Sequence, residues 1–235
     1  MSRGLIVWVL AAVFTVSSFA RAADNELTEQ EKKDGWVLMF DGKTPKGWIA
    51  GKNPMPDKQV EDGTLNVKDQ GAYVAHYEKP FKDFVFKCDF KLDKGVNSGL
   101  FFRIAKPGDG GIGRGWEIQV KDDAGKAPTR FDCGSLYEYM APTKQAAKPA
   151  GEWNSIEVSA IGPKVTVTLN GEKVLDADLN KWTEAGKNPD GSKNKFKWAL
   201  KDQPREGHIG LSFHDKGKSA WYRNIKVKEV KAEAK

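Results

Sequence analysis

Arg103, Glu117 and Gln119 are the residues of this chain whose types and spacing point most directly to chemistry. Along an extended strand successive side chains face opposite ways. In Asn97-Ser98-Gly99-Leu100-Phe101-Phe102-Arg103-Ile104 this puts Leu100, Phe102 and Ile104 on one side and Gly99, Phe101 and Arg103 on the other. In Trp116-Glu117-Ile118-Gln119-Val120-Lys121 it separates Trp116, Ile118 and Val120 from Glu117, Gln119 and Lys121. Pairing of these strands across the loop from Lys106 to Gly115 would gather a guanidinium, a carboxylate and an amide on one rigid face. Such a platform suits a sugar-binding or glycoside-cleaving groove, with Glu117 as acid or base and Gln119 holding hydroxyls. The alternative is an Arg103–Glu117 ion pair that merely positions two strands.

Other residues could join that groove. His208, Gly210, Ser212 and His214 share one parity, opposite Ile209, Leu211 and Phe213, so both imidazoles are expected to point away from the core. His214, beside Asp215, fits a general base or metal ligand near neutral pH, and His208 a substrate contact. Asp122 ends the Trp116 strand, where an acid either forms a turn or binds sugar or metal. Tyr137 offers an aromatic face with a polar tip, suited to a pyranose. Asn97 either fixes the bend before Ser98-Gly99 or touches ligand. His76, near Tyr73 and Tyr77, has no motif around it and is expected at the surface.

The elements that must position these residues are mostly strands and turns. Phe84 to Leu92 alternates throughout, with Phe84, Phe86, Cys88, Phe90 and Leu92 inward. Asn170-Gly171 marks a tight hairpin between Lys164 and Leu175. Trp36, Trp153 and Trp221 are expected in the core, a short helix-prone lead runs from Leu27 to Lys33, and Asn180 to Glu206 reads as a long surface loop. Many short strands with turn chemistry between them, and hardly any helical periodicity, predict an all-β, two-sheet jelly-roll sandwich.

Residues 1–22 have the pattern of an export signal: Arg3, an apolar run from Leu5 to Val16, and Ala20-Arg21-Ala22 before a cut between Ala22 and Ala23. The mature chain is then expected to carry a lead over 23–34, one domain over 35–230 and a charged tail over 231–235. Its expected place is the periplasm or the extracellular space, with no membrane span after cleavage. The 235 residues carry 38 Lys and Arg against 32 Asp and Glu, a net charge of +6, with the lysines dispersed among acids. That dispersion argues against a nucleic-acid partner, which needs basic residues gathered on one face. Cys88 and Cys133 are the only cysteines. An oxidising compartment would permit a disulfide between them, whereas the inward parity of Cys88 equally suits a small buried thiol.

Several short motifs occur in a fixed order: Leu38-Met39-Phe40-Asp41-Gly42, Gly47-Trp48, Asn97-Ser98-Gly99, Glu117-Ile118-Gln119, Pro149-Ala150-Gly151-Glu152-Trp153-Asn154, Leu169-Asn170-Gly171, Gly207-His208-Ile209-Gly210-Leu211 and Trp221-Tyr222-Arg223-Asn224-Ile225. In this the chain resembles the 3-keto-disaccharide hydrolase domain family from about Gly35 to Val230. The resemblance implies a concanavalin A-like lectin/glucanase sandwich and cleavage of glycosidic bonds in sugars oxidised at carbon 3. Laminarinase-type relatives of that fold place several acids at alternate positions of one strand, whereas this strand offers Glu117, Gln119 and Lys121. A two-carboxylate mechanism is therefore not the expected one.

A ketone at carbon 3 acidifies the hydrogen on carbon 2, so one base, one group to stabilise the enolate oxygen and one water suffice. Arg103 is the expected positive charge; a divalent metal held by Asp122 and an imidazole is the alternative, and beyond it no cofactor is expected. The leading reading is an exported enzyme that cleaves 3-keto-glycosides, either by direct hydrolysis or by elimination across carbons 1 and 2 followed by hydration. The competing reading is a carbohydrate-binding module without chemistry, for which the same fold would serve.

Overall fold

The computed structural model describes residues 23–70, 72–107 and 115–231. The expected leader over 1–22 and most of the tail lie outside the described residues. The lead carries one short helix, α1 (Glu29–Lys33), closed by a capping box between Thr28 and Glu31. Among the described residues no helix is long and apolar enough to cross a membrane.

The strands, in chain order, are β1 (Trp36–Leu38), β2 (Trp48–Ala50), β3 (Asn53–Pro54), β4 (Val60–Glu61), β5 (Thr64–Asn66), β6 (Val74–Phe81), β7 (Phe84–Leu92), β8 (Asn97–Ile104), β9 (Trp116–Lys121), β10 (Asn154–Ile161), β11 (Lys164–Leu169), β12 (Glu172–Asp178), β13 (Gly207–Phe213) and β14 (Ala220–Glu229). They form the expected all-β sandwich of two antiparallel sheets. One sheet runs β12-β11-β10-β7-β14-β5-β4, with β1 paired to β14; the other runs β3-β2-β6-β13-β8-β9.

The alternation read from β7 is the clearest link between sequence and core. Its nine residues alternate buried and half-buried without a break. Phe84, Phe86 and Phe90 meet Leu100, Phe102, Trp116 and Ile118 of the second sheet in one apolar cluster. Asn170 and Gly171 both take positive φ, 51° and 83°, as a tight turn between β11 and β12 requires.

Three tryptophans expected in the core are instead half-buried on the outer face of the larger sheet. Trp221 pairs with Lys91, an outward residue of β7, and the Lys91 ammonium lies over both Trp221 (4.7 Å) and Trp153 (5.2 Å). Lys87 covers Trp36 in the same way at 4.8 Å. The lysines shield ring faces that hydrophobicity alone would have sent inside. Cys88 and Cys133 are both buried and unpaired, which corrects the disulfide expectation. Each packs as a small apolar group, and burial pushes the Cys133 thiol up to about 12 and that of Cys88 well above its usual range.

Candidate active site

β8 and β9 pair as the sequence implies, with Gly99 opposite Gln119 and Phe101 opposite Glu117. The outer face of this sheet holds a narrow pocket enclosing about 50 Å³. Glu117, Gln119, Asn97, Tyr137 and His214 all line it. Five of the seven residues expected to act or bind substrate are therefore brought together.

Glu117 is only 8 % exposed, and its Oε1 has no hydrogen-bond partner among the described residues. Removing a carboxylate from water without compensating bonds favours its neutral form. Burial accordingly raises the Glu117 pKa to about 8, against the opposing charge of Lys195. Gly99 makes room for this acid: a Cβ there would come within 2.1 Å of Glu117 Oε1. The backbone conformation would tolerate a side chain, so the glycine is required by the carboxyl group it faces. The side-chain oxygens of Asn97 and Gln119 are likewise buried without partners. Three unpaired oxygens on neighbouring strands form an array that hydroxyl donors of a ligand would satisfy.

His214 stands at the pocket mouth, one residue beyond β13. Its Nε2 is hydrogen-bonded to the hydroxyl of Tyr73, and the two rings meet edge to face with centres 4.5 Å apart. Partial burial lowers the imidazole pKa, aided by Lys195 and opposed by Asp215. Burial raises the Tyr73 phenol well above its ordinary value, and the charge of Glu117 adds to this. Near neutral pH the site thus combines a protonated carboxyl, a neutral imidazole and a protonated phenol. Environments that push titratable groups apart in this way assign acid and base roles.

Arg103 is not in the pocket. Ile104 pairs with His208 and Phe101 with Gly210, so β8 advances three residues while β13 advances two. The extra residue is a bulge with Arg103 at φ +53°, and it reverses the parity on which the expectation rested. Arg103 is fully buried, with its guanidinium donating to the carbonyls of Lys82, Ala160 and Gly162 and to Asp83 Oδ1 at 2.9 to 3.3 Å. Burial, the nearby charge of Arg205 and, in opposition, Asp83 bring its pKa to about 10. It ties β8 to the β6–β7 turn and to the end of β10 in the other sheet.

His208 departs for a related reason. The pairing of β13 with β6 also shifts between His208 and Gly210. The His208 ring bonds the carbonyl of Tyr77 through Nδ1 (2.9 Å) and packs against His76 at 5.2 Å. His76 is buried, not at the surface as expected, and burial with the neighbouring His208 lowers its pKa to about 4. Asp122 also lies outside the pocket lining, its Oδ2 accepting the N–H of Gly95 at 2.8 Å. Among the described residues no three His, Cys, Asp or Glu side chains converge as a metal set.

Four residues of the site escaped the sequence reading: Tyr73, Phe101, Lys195 and Phe196. Phe101 left a trace, as an aromatic on a strand face otherwise polar. Lys195 and Phe196 come from the long loop taken as surface, where Phe196 stacks on Tyr139 with centres 4.7 Å apart and planes at 11°. The Lys195 ammonium lies 4.3 Å from the centre of the Tyr137 ring.

A sandwich with an acid and an imidazole sharing one pocket is compatible with a glycoside hydrolase-like protein, the class that its similarity to known proteins supports. The chain belongs to the family described as the 3-keto-alpha-glucoside-1,2-lyase-like domain, which it matches over residues 35–228. It is 31 % identical over 230 residues to a 3-keto-disaccharide hydrolase of Bacteroides thetaiotaomicron, covering 83 % of this chain and 78 % of that one. Two crystal structures from Parabacteroides distasonis, each provisionally described as a glycosyl hydrolase, share the fold. One gives a TM-score of 0.70 at 30 % identity, covering 83 % of this chain and 99 % of the other. The second gives 0.74 at 25 % identity, covering 89 % and 100 %.

Proposed function

We propose that this protein cleaves glycosidic bonds in sugars bearing a ketone at carbon 3, by elimination across carbons 1 and 2 followed by addition of water. The observation that carries the reading is the buried, unpartnered Glu117 carboxyl facing the same pocket as the Tyr73–His214 pair. With its pKa raised, Tyr73 keeps its proton and donates to His214 Nε2. As the Tyr73 oxygen takes the carbon 2 proton, its own proton passes to His214. The electron pair from carbon 2 moves into the enolate, whose oxygen the Lys195 ammonium stabilises in the place first assigned to Arg103. Glu117, protonated near neutral pH, gives its proton to the departing oxygen on carbon 1. Water then adds across the carbon 1–carbon 2 double bond, and the groups return to their starting protonation.

Asn97 and Gln119 accept hydroxyls of the ring, and Phe101 and Tyr137 wall it. The ketone requirement is supported by the name of the Bacteroides relative, a 3-keto-disaccharide hydrolase, and by the pocket lining, in which Glu117 is the one carboxyl group among the described residues. The leader-like residues 1–22 support an exported enzyme.

The test is incubation of the protein with a 3-keto-disaccharide and with its unoxidised parent in deuterated water. Cleavage of the ketone alone, with deuterium entering carbon 2, is expected. Turnover should be highest between the lowered pKa of His214, below its usual 6.5, and the Glu117 value of about 8. It falls at lower pH as the imidazole charges and at higher pH as the carboxyl ionises. A rate that climbs through pH 8 would instead make Glu117 the base. Equal rates on both sugars would remove the ketone from the mechanism, and binding without cleavage would leave a carbohydrate-binding module.

A further inference from the structure

Phe131 is the one exposed large aromatic among the described residues, at 38 % exposure. The other exposed large apolar side chains, Val37 and Ile161, belong to strands of the opposite sheet. The ring is held outward by a well-bonded turn. Asp132 Oδ2 accepts from the Thr129 amide (2.9 Å) and hydroxyl (2.6 Å), and Asp132 Oδ1 takes Lys121 Nζ at 3.0 Å. The Arg130 guanidinium lies 5.0 Å from the ring centre.

This turn is wired to the active pocket. The Phe131 carbonyl accepts Gln119 Nε2 at 3.3 Å, which leaves the unpaired Gln119 Oε1 free for a ligand. Its ring meets Tyr137 edge to face at 5.8 Å, and Tyr137 lines the pocket beneath Lys195. Phe131 therefore extends the aromatic wall of the pocket outward over the surface. The enclosed 50 Å³ leaves no room for a second sugar ring beside the reacting one. Whatever lies beyond the reacting ring must rest at the mouth.

We propose that Phe131 is the platform for a second ring, the one released on cleavage, and thereby the residue that separates a sugar leaving group from a small alcohol. The apolar C–H face of a pyranose stacks on the phenyl face. The assignment of the released ring rests on the cleavage reading above, whereas the platform itself does not.

The test compares Phe131→Ala and Phe131→Trp with the parent protein on a 3-keto-disaccharide and on methyl 3-keto-glucoside. Phe131→Ala should lower kcat/KM on the disaccharide by about 5- to 10-fold through KM, as expected for losing one aromatic contact, and leave the methyl glycoside unchanged. Phe131→Trp should restore the disaccharide preference. An unchanged ratio between the two substrates in Phe131→Ala would overturn the proposal. Should the parent protein cleave neither, calorimetric binding of the same two compounds decides: a loss of affinity in Phe131→Ala confined to the disaccharide upholds the platform while the cleavage reading falls. Equal affinities for parent and variant would reject it.

Discussion

Arg103 and Glu117 stand on neighbouring strands of one sheet, and both are ionisable and almost wholly buried. They differ in what surrounds them. The Arg103 guanidinium finds three carbonyls and one carboxylate, whereas Glu117 Oε1 finds nothing. Burial by itself does not separate a structural charge from a functional one, but satisfaction of its hydrogen-bonding groups does. Arg103 binds the two sheets together, and Glu117 keeps an oxygen open to whatever enters the pocket.

Removing Arg103 should have the largest effect. Arg103→Met removes the guanidinium from the carbonyls of Lys82, Ala160 and Gly162 and from Asp83, and the expected loss is about 3–5 kcal/mol in chemical denaturation. Molecules that remain folded should keep their pH profile, since the guanidinium does not reach the pocket. A variant with normal stability and shifted pH dependence would erase the contrast.

Glu117→Gln sharpens the comparison from the other side. Turnover should fall about 100-fold or more while the fold persists. The sign for stability is opposite to that of Arg103. With its folded pKa raised to about 8, Glu117 favours the fold fully below its unfolded value of 4.5, and that contribution is lost as pH rises through 8. The glutamine variant should thus become the more stable protein at alkaline pH, by on the order of 4 kcal/mol at pH 9 relative to pH 4. Parallel denaturation curves at the two pH values would show that the carboxyl is not held neutral.

The smallest change is Gly99→Ala. Its methyl would meet Glu117 Oε1, so the carboxyl must swing aside. Activity should drop by about 10-fold, the scale of a displaced catalytic group, with stability altered by less than about 1 kcal/mol. The raised pKa of Glu117, followed by NMR titration, should move back toward the usual carboxylate range. An alanine variant with full activity would mean that the space beside Gly99 is not needed.

The sandwich was legible because alternation has only two phases, and β7 keeps one of them for nine residues. Glu117, Gln119 and His214 followed from the same rule applied to β9 and β13, whereas Asn97 and Tyr137 were found from their position before a bend and their side-chain chemistry. The rule failed at Arg103 and His208, where one strand takes an extra residue relative to its neighbour. Nothing in Phe102-Arg103-Ile104 marks a bulge, since none of the three is glycine. Trp153 and Trp221 were misplaced because hydropathy does not register Lys91 lying across their faces. Lys195 and Phe196 reach the pocket through tertiary contacts between a loop and the sheet, which no periodicity encodes.

The bulge at Arg103 also bears on how the chain finds its fold. A strand edge offers the same backbone groups at every second step, so β8 could pair with β13 in several alignments differing by two residues. Only one of them delivers the guanidinium to the carbonyls of Lys82, Ala160 and Gly162; a slipped alignment would strand a positive charge between the sheets. The same side chain that staples the finished sandwich would thereby penalise a slipped register, which leaves the cation away from Asp83 and those carbonyls.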